Sequence, residues 1–143
     1  MNDPHVVLDT NVLVAGLRSR NGASFQLLSR IGPNSGFEFH LSVPIVLGYE
    51  AVLKRPGSVS GLGEEEIEAV LDYLCVAGHH RDIYFLWRPQ LRDPKDDMVL
   101  ELAVEASCDF IVTHKIKDFK GAERFGIQAT TPGEFLRRLG EKP

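Results

Sequence analysis

Asp9 stands between two apolar runs, in His5-Val-Val-Leu-Asp-Thr-Asn-Val-Leu-Val14. Residues 5–8 are short, apolar and β-branched, which predicts a buried strand. A carboxylate directly after such a strand lies at its carboxyl end, where open α/β sheets build their ligand crevices. Beside so much apolar surface it needs a cation, a metal or several N–H donors. Capping the next helix is the competing role, since Asp, Thr and Asn all favour helix starts. The sequence leaves both open.

A second acidic group follows in Arg92-Asp-Pro-Lys-Asp-Asp97. Asp93 suits the cap of a helix whose first residue is Pro94. Asp96 shares a face with Leu100 and Ala103, so it is expected above the buried stripe, with Asp97 turned toward solvent. Attraction to the positive helix end, about 0.3–1 kcal/mol per acid, accounts for Asp93. It does not account for Asp96 on the apolar face. Two aspartates meeting in a crevice repel unless they share a divalent cation. Carboxylate-only ligation favours Mg²⁺ or Mn²⁺, and the chemistry such a site supports is phosphoryl transfer or phosphodiester hydrolysis.

These acids need a sheet to bring them together. Strands are predicted near 5–8, 37–41, 82–87, 110–113 and 127–130, and helices near 23–31, 44–54, 64–77, 95–106 and 132–139. The last helix is well marked, with Thr131 as cap, Pro132 at its first position and Glu134 as capping-box partner. Alternation of this kind predicts one α/β domain over 1–143, with a parallel sheet flanked by helices. Asp9, Ser42, Thr113 and the helix opening at Asp93 would then share the sheet's carboxyl rim. Trp87, Phe85 and Ile83 alternate as one sheet face would. Pro56–Gly63 is expected to be a loop.

Composition excludes little. The 143 residues are 43% hydrophobic and 25% charged, with a net charge of −4, which disfavours a strongly electrostatic nucleic-acid binder but not a local RNA-cutting site. No apolar run approaches the roughly 20 residues of a membrane span, and the N-terminus lacks a signal pattern. Cys75 and Cys108 fit no metal spacing and are expected as reduced core thiols of a cytoplasmic protein. His79 and His80 are adjacent and so diverge; a loop pair is expected in place of a metal pair. His114 lies near the rim and is expected as a polar loop residue.

The chain resembles the PIN-domain family, which includes the RNA-cleaving toxins of toxin–antitoxin pairs. The resemblance runs through Leu8-Asp-Thr-Asn-Val-Leu-Val14, the stretch from Leu41 to Pro56, Arg92–Asp97, Asp109-Phe-Ile-Val-Thr-His114, Asp118-Phe119, Phe125-Gly-Ile127 and Thr131-Pro-Gly-Glu-Phe-Leu136. It implies a five-stranded parallel sheet in a three-layer fold, a Mg²⁺ or Mn²⁺ site, cleavage of single-stranded RNA, an antitoxin partner and a homodimer. By motif position, Asp9 and Asp96 match the family's metal aspartates, and Thr10 and Asn11 shape the turn beneath. Asp118 matches a later acid. Asp97, Thr113 and Lys115 stand beside these as supporting residues.

Two positions depart from the pattern. Gly48 occupies the family's glutamate position, and Glu50, the nearest substitute, lies about 200° around a helix from it. Lys115 occupies a position that usually carries Asp or Asn. It would either pair with Asp9 and Asp96 or form a basic lip with Lys117. A PIN-fold binder of RNA or a partner, impaired in catalysis, is therefore the alternative to a nuclease. An aspartyl-phosphate phosphatase or receiver domain, with Asp9 as phosphoacceptor, is a third reading.

Overall fold

The structure is a computed structural model that describes residues 3–83, 91 and 93–140. Strands β1 (His5–Leu8), β2 (Glu38–Leu41), β3 (His79–His80), β4 (Phe110–Val112) and β5 (Gln128–Thr130) form one parallel sheet in the order β3-β2-β1-β4-β5. The order reverses at β1, so the chain crosses the sheet in both directions from it. Crevices open at such switch points, beyond the carboxyl ends of the strands. Asp9 follows β1 directly.

Helices α1 (Thr10–Arg18), α2 (Ala23–Ser29), α3 (Val43–Leu53), α4 (Glu64–Ala77), α5 (Pro94–Glu105) and α6 (Pro132–Gly140) cover the sheet. A 3₁₀ segment, Ile116–Phe125, with a kink at Phe119, follows β4. The core joins Val6, Val7, Leu8, Ile111 and Val112 of the central strands to Leu13 of α1, Tyr49 of α3 and Leu100 of α5. Parallel strands covered on both faces read as continuous apolar runs, which is why these short segments were legible. Among the described residues no helix is long and apolar enough to cross a membrane.

Three expectations change. The third strand of the described sheet is His79–His80; Asp82 and Ile83, the start of the expected strand 82–87, lie beyond it outside any strand, and residues 84–87, with Phe85 and Trp87, fall outside the described residues. Gly78 ends α4 hard against the sheet, since a Cβ there would stand 2.8 Å from Phe39 Cε2. The chain therefore pairs with β2 at once, and the two histidines lie in a strand, not a loop. They do diverge: His79 Nε2 meets Glu38 Oε1 at 3.0 Å, while His80 Nε2 donates to the Cys75 carbonyl at 2.7 Å. At α6, Thr131 Oγ1 accepts from Glu134 N at 3.2 Å, but the Glu134 carboxylate takes Arg137 at 2.6 Å, so the capping box is only half made. Cys75 and Cys108 are free thiols, and burial pushes Cys108 up to about 12.

Candidate active site

Asp9 is both cap and buried acid, 7% exposed. Its Oδ1 accepts from Thr10 N at 2.8 Å. Its Oδ2 accepts from Thr113 Oγ1 at 2.7 Å and from Asn11 Nδ2 at 3.1 Å. Thr113 is fully buried and its hydroxyl also accepts from Lys115 N at 3.0 Å. Asn11 Oδ1 accepts from His114 N at 3.1 Å, which ties the ends of β1 and β4 together. Below this network the Tyr49 phenol donates to the Leu8 carbonyl. The His114 ring itself turns away to Ser24 Oγ at 2.8 Å.

Each carboxylate oxygen can accept about two hydrogen bonds. Oδ1 of Asp9 accepts one, so it keeps capacity for a further ligand. Burial raises the Asp9 pKa above the ordinary carboxylate value, opposed by the Thr113 and Thr10 bonds and by Lys115.

Asp9 opens into a cavity of about 480 Å³ shared with Asp93, Asp96 and Asp118. The elements position these acids in different ways. Asp93 caps α5 by accepting from Lys95 N at 2.9 Å. Asp96 sits on the first turn of α5, half-buried, and its carboxyl is pushed up to about 7 by burial and then by Asp9, Asp93 and Asp118. The 3₁₀ segment brings exposed Asp118 to the same wall. Asp9, Asp96 and Asp118 are thus brought together, with Thr10, Asn11 and Lys115 at the same cavity.

Glu50 is not. It lies away from the cavity, its Oε2 3.1 Å from Lys54 Nζ, which also holds Glu68 at 2.9 Å. The 200° separation from Gly48 is kept because α3 is a regular helix through both. Gly48 does face the cavity, and a Cβ there would meet only Met98 Cε, at 3.9 Å. The site therefore has room for a side chain at the position where an acid is missing. Asp97 is also a correction: it is 1% exposed instead of solvated, with Oδ1 accepting from Leu91 N at 2.9 Å, and it anchors the approach to α5.

Lys115 falls between its two expected roles. Its side chain is exposed, yet it lines the cavity and its charge lowers the pKa of both Asp9 and Asp96. Lys117 does not line the cavity. Arg18, Arg55 and Lys95 also line it, and no sequence argument singled them out. Exposed cations near helix ends look like ordinary solvated side chains, and only the convergence of α1, α3 and α5 on the cavity distinguishes them.

The donor set is all oxygen, which suits a hard divalent cation. Carboxylates raised by burial and by a neighbouring carboxylate are the electrostatic condition such an ion relieves. Among the described residues no three His, Cys, Asp or Glu enclose an ion by themselves.

A family model described as "PIN domain" matches residues 5–117. The chain is a PIN-domain protein. No curated protein matches it in sequence. Its fold is similar to that of a chain in the crystal structure of VapBC2 from Rickettsia felis bound to a DNA fragment from their promoter. The TM-score is 0.60 at 15% identity, covering 87% of this PIN chain and 98% of the other. Family membership displaces the aspartyl-phosphate alternative.

Proposed function

We propose that this PIN-domain protein is a divalent-metal-dependent endoribonuclease that cuts single-stranded RNA, as the toxin of a cytoplasmic toxin–antitoxin pair. The carrying observation is the convergence of Asp9, Asp96 and Asp118 on one cavity, where burial, and then the neighbouring Asp9, Asp93 and Asp118, push the Asp96 carboxyl up to about 7. Asp9 and Asp96 would hold Mg²⁺ or Mn²⁺, with Asp118 as a further acid. When bound, the ion would activate water and stabilise charge on the phosphodiester oxygens. Thr113 and Asn11 fix the Asp9 carboxylate in place, so that it need not reorganise when ligand arrives. Thr10 holds its second oxygen. The likeness to a chain of VapBC2 supports an antitoxin as protein partner, and a homodimer is part of the same reading.

The test is cleavage of a single-stranded RNA with Mn²⁺, with chelator as control. Asp9→Asn should lower the rate by about 10³-fold, the scale seen when a key electrostatic group is removed. An undiminished rate in Asp9→Asn would overturn the assignment. Gly48 and the cavity-lining Lys115 favour a second reading, a PIN-fold protein that binds RNA without cutting. RNA bound but left intact at saturating Mn²⁺ would establish it.

A further inference from the structure

The cavity that holds the carboxylates also holds four cations, Arg18, Arg55, Lys95 and Lys115, matching its four aspartates in number. Among the described residues no ion pair joins one set to the other. Opposite charges that share a cavity without closing into ion pairs are available to a ligand carrying both kinds of partner.

Their separation follows from the helices. Asp9 and Ser42 cap α1 and α3 at the sheet's carboxyl rim, and the two helices pack together as they run away from it. Arg18 closes α1, about 13 Å along the axis from Asp9 at 1.5 Å per residue. Arg55 follows the C-cap of α3 at the same end. A turn then joins them: Ser58 N donates to the Arg55 carbonyl at 3.0 Å, and Arg18 Nε donates to the Ser58 carbonyl at 2.6 Å. Gly57, at φ +78°, permits this turn. Only one of Arg18's five N–H donors is used, and the Arg55 side chain has no hydrogen-bond or ion-pair partner among the described residues. Between the acidic and basic ends the wall includes Val14, Ala15 and Val52, an apolar surface suited to a base or ribose.

We propose that Arg18 and Arg55 form a phosphate-binding subsite at the far end of the cavity, gripping an RNA backbone a few nucleotides from the bond presented to Asp9 and Asp96. This rests on the nuclease reading. Arg18 and Arg55 are positioning residues: they set where the strand lies and take no part in bond breaking. A guanidinium pair suits this because each presents a planar fork of donors to phosphate oxygens.

The experiment is binding of a labelled eight-nucleotide single-stranded RNA to the full chain in chelator, across salt concentrations, for the parent, Arg18→Gln, Arg55→Gln, the double variant and Arg18→Lys. Each single Gln change should weaken binding several-fold and reduce the salt slope by about 0.7, and the double variant by about 1.4. Arg18→Lys should restore most of the slope, which separates lost charge from a loosened Ser58 turn. In cleavage assays the Gln variants should raise KM with little change in kcat. Unchanged affinity and slope in the double variant, with the parent binding RNA, would overturn the subsite and leave the nuclease reading standing. A parent that binds no RNA would remove both. A polyglutamate peptide that binds as tightly as RNA, with the same dependence on Arg18 and Arg55, would overturn the RNA assignment in favour of an acidic protein segment.

Discussion

At the carboxyl rim, Asp9, Asp96 and Asp118 face one cavity, and burial together with nearby carboxylates disfavours charge on Asp9 and Asp96. At the β1–β2–β3 edge, three histidines form a closed ladder. His5 Nδ1 lies 2.7 Å from His40 Nε2, the His40 ring is 5.0 Å from that of His5 and 5.1 Å from that of His79, and His79 Nε2 meets Glu38 Oε1 at 3.0 Å. His40 is 1% exposed and is lowered to about 4 by burial and then by His5, His79 and Arg81, with Glu38 opposing. Arg81 Nε approaches His40 Nδ1 at 3.5 Å, which suits the neutral tautomer donating to His5. Burial disfavours charge on His40 in one cluster and on Asp9 and Asp96 in the other. The ladder answers by enclosing His40 between His5 and His79, whereas the carboxylates remain open to a cavity and to an added cation. Perturbed groups mark function when they face space for a ligand, and structure when they satisfy each other.

The largest expected effect breaks the ladder by pH. His40 titrates near 6.5 when unfolded and at about 4 when folded. Its contribution is complete above pH 6.5 and is lost as pH falls toward 4, because only the unfolded chain gains the proton in that window. The loss should be on the order of 2 kcal/mol after allowance for solvent screening. Asp96 acts with the opposite sign. Its raised pKa gives stability that is full below 3.8 and is lost as pH rises through about 7. Comparing urea denaturation of the parent and His40→Phe at pH 7 and 4.5 isolates the ladder. Equal pH dependence in the two would show that the His40 proton is not linked to folding.

Of the two regions only the rim was legible in the sequence, and the misses have physical causes. Asp9 was visible because a buried strand ending in a carboxylate is costly without a partner. Asp96 was placed correctly by helical spacing, but Asp97 was not. A single-stripe pattern assumes one buried face, whereas α5 packs against β1, β2, β4, α3 and the 3₁₀ segment, burying Asp97 and Glu101 as well. The 3₁₀ segment that carries Asp118 follows neither the helical nor the strand period. The ladder was invisible because its members are separated in sequence and meet only through strand register, His40 opposite His79.

The next effect strengthens the rim. Gly48 faces the cavity with room for a side chain, so Gly48→Glu supplies the absent third carboxylate. Mn²⁺ affinity should rise about tenfold, since hard cations gain from each oxygen ligand, and calorimetric titration would measure it. Replacing a mid-helix glycine should also stabilise α3 by roughly 0.5–1 kcal/mol, offset without metal by repulsion from Asp9 and Asp96. The gain in melting temperature should therefore be larger with Mn²⁺ than without. Equal gains in both conditions would mean that position 48 does not reach the metal.

The smallest effect concerns Lys115, the cation that both rim carboxylates feel. It is exposed, so its repulsion of a bound ion is screened and worth about 0.5–1 kcal/mol. Lys115→Asn should accordingly raise Mn²⁺ affinity about two- to fivefold, a smaller gain than Gly48→Glu because it removes a distant charge and adds no full carboxylate. The backbone bond from Lys115 N to Thr113 Oγ1 survives the change, so the Asp9 network should stay intact. If Lys115 also meets the RNA strand, the variant should lose about 0.7 of the salt slope for a single-stranded oligonucleotide. A gain in metal affinity with an unchanged slope assigns the lysine to the carboxylates alone. A lost slope with unchanged metal affinity assigns it to the strand, making it the near end of the track that Arg18 and Arg55 finish.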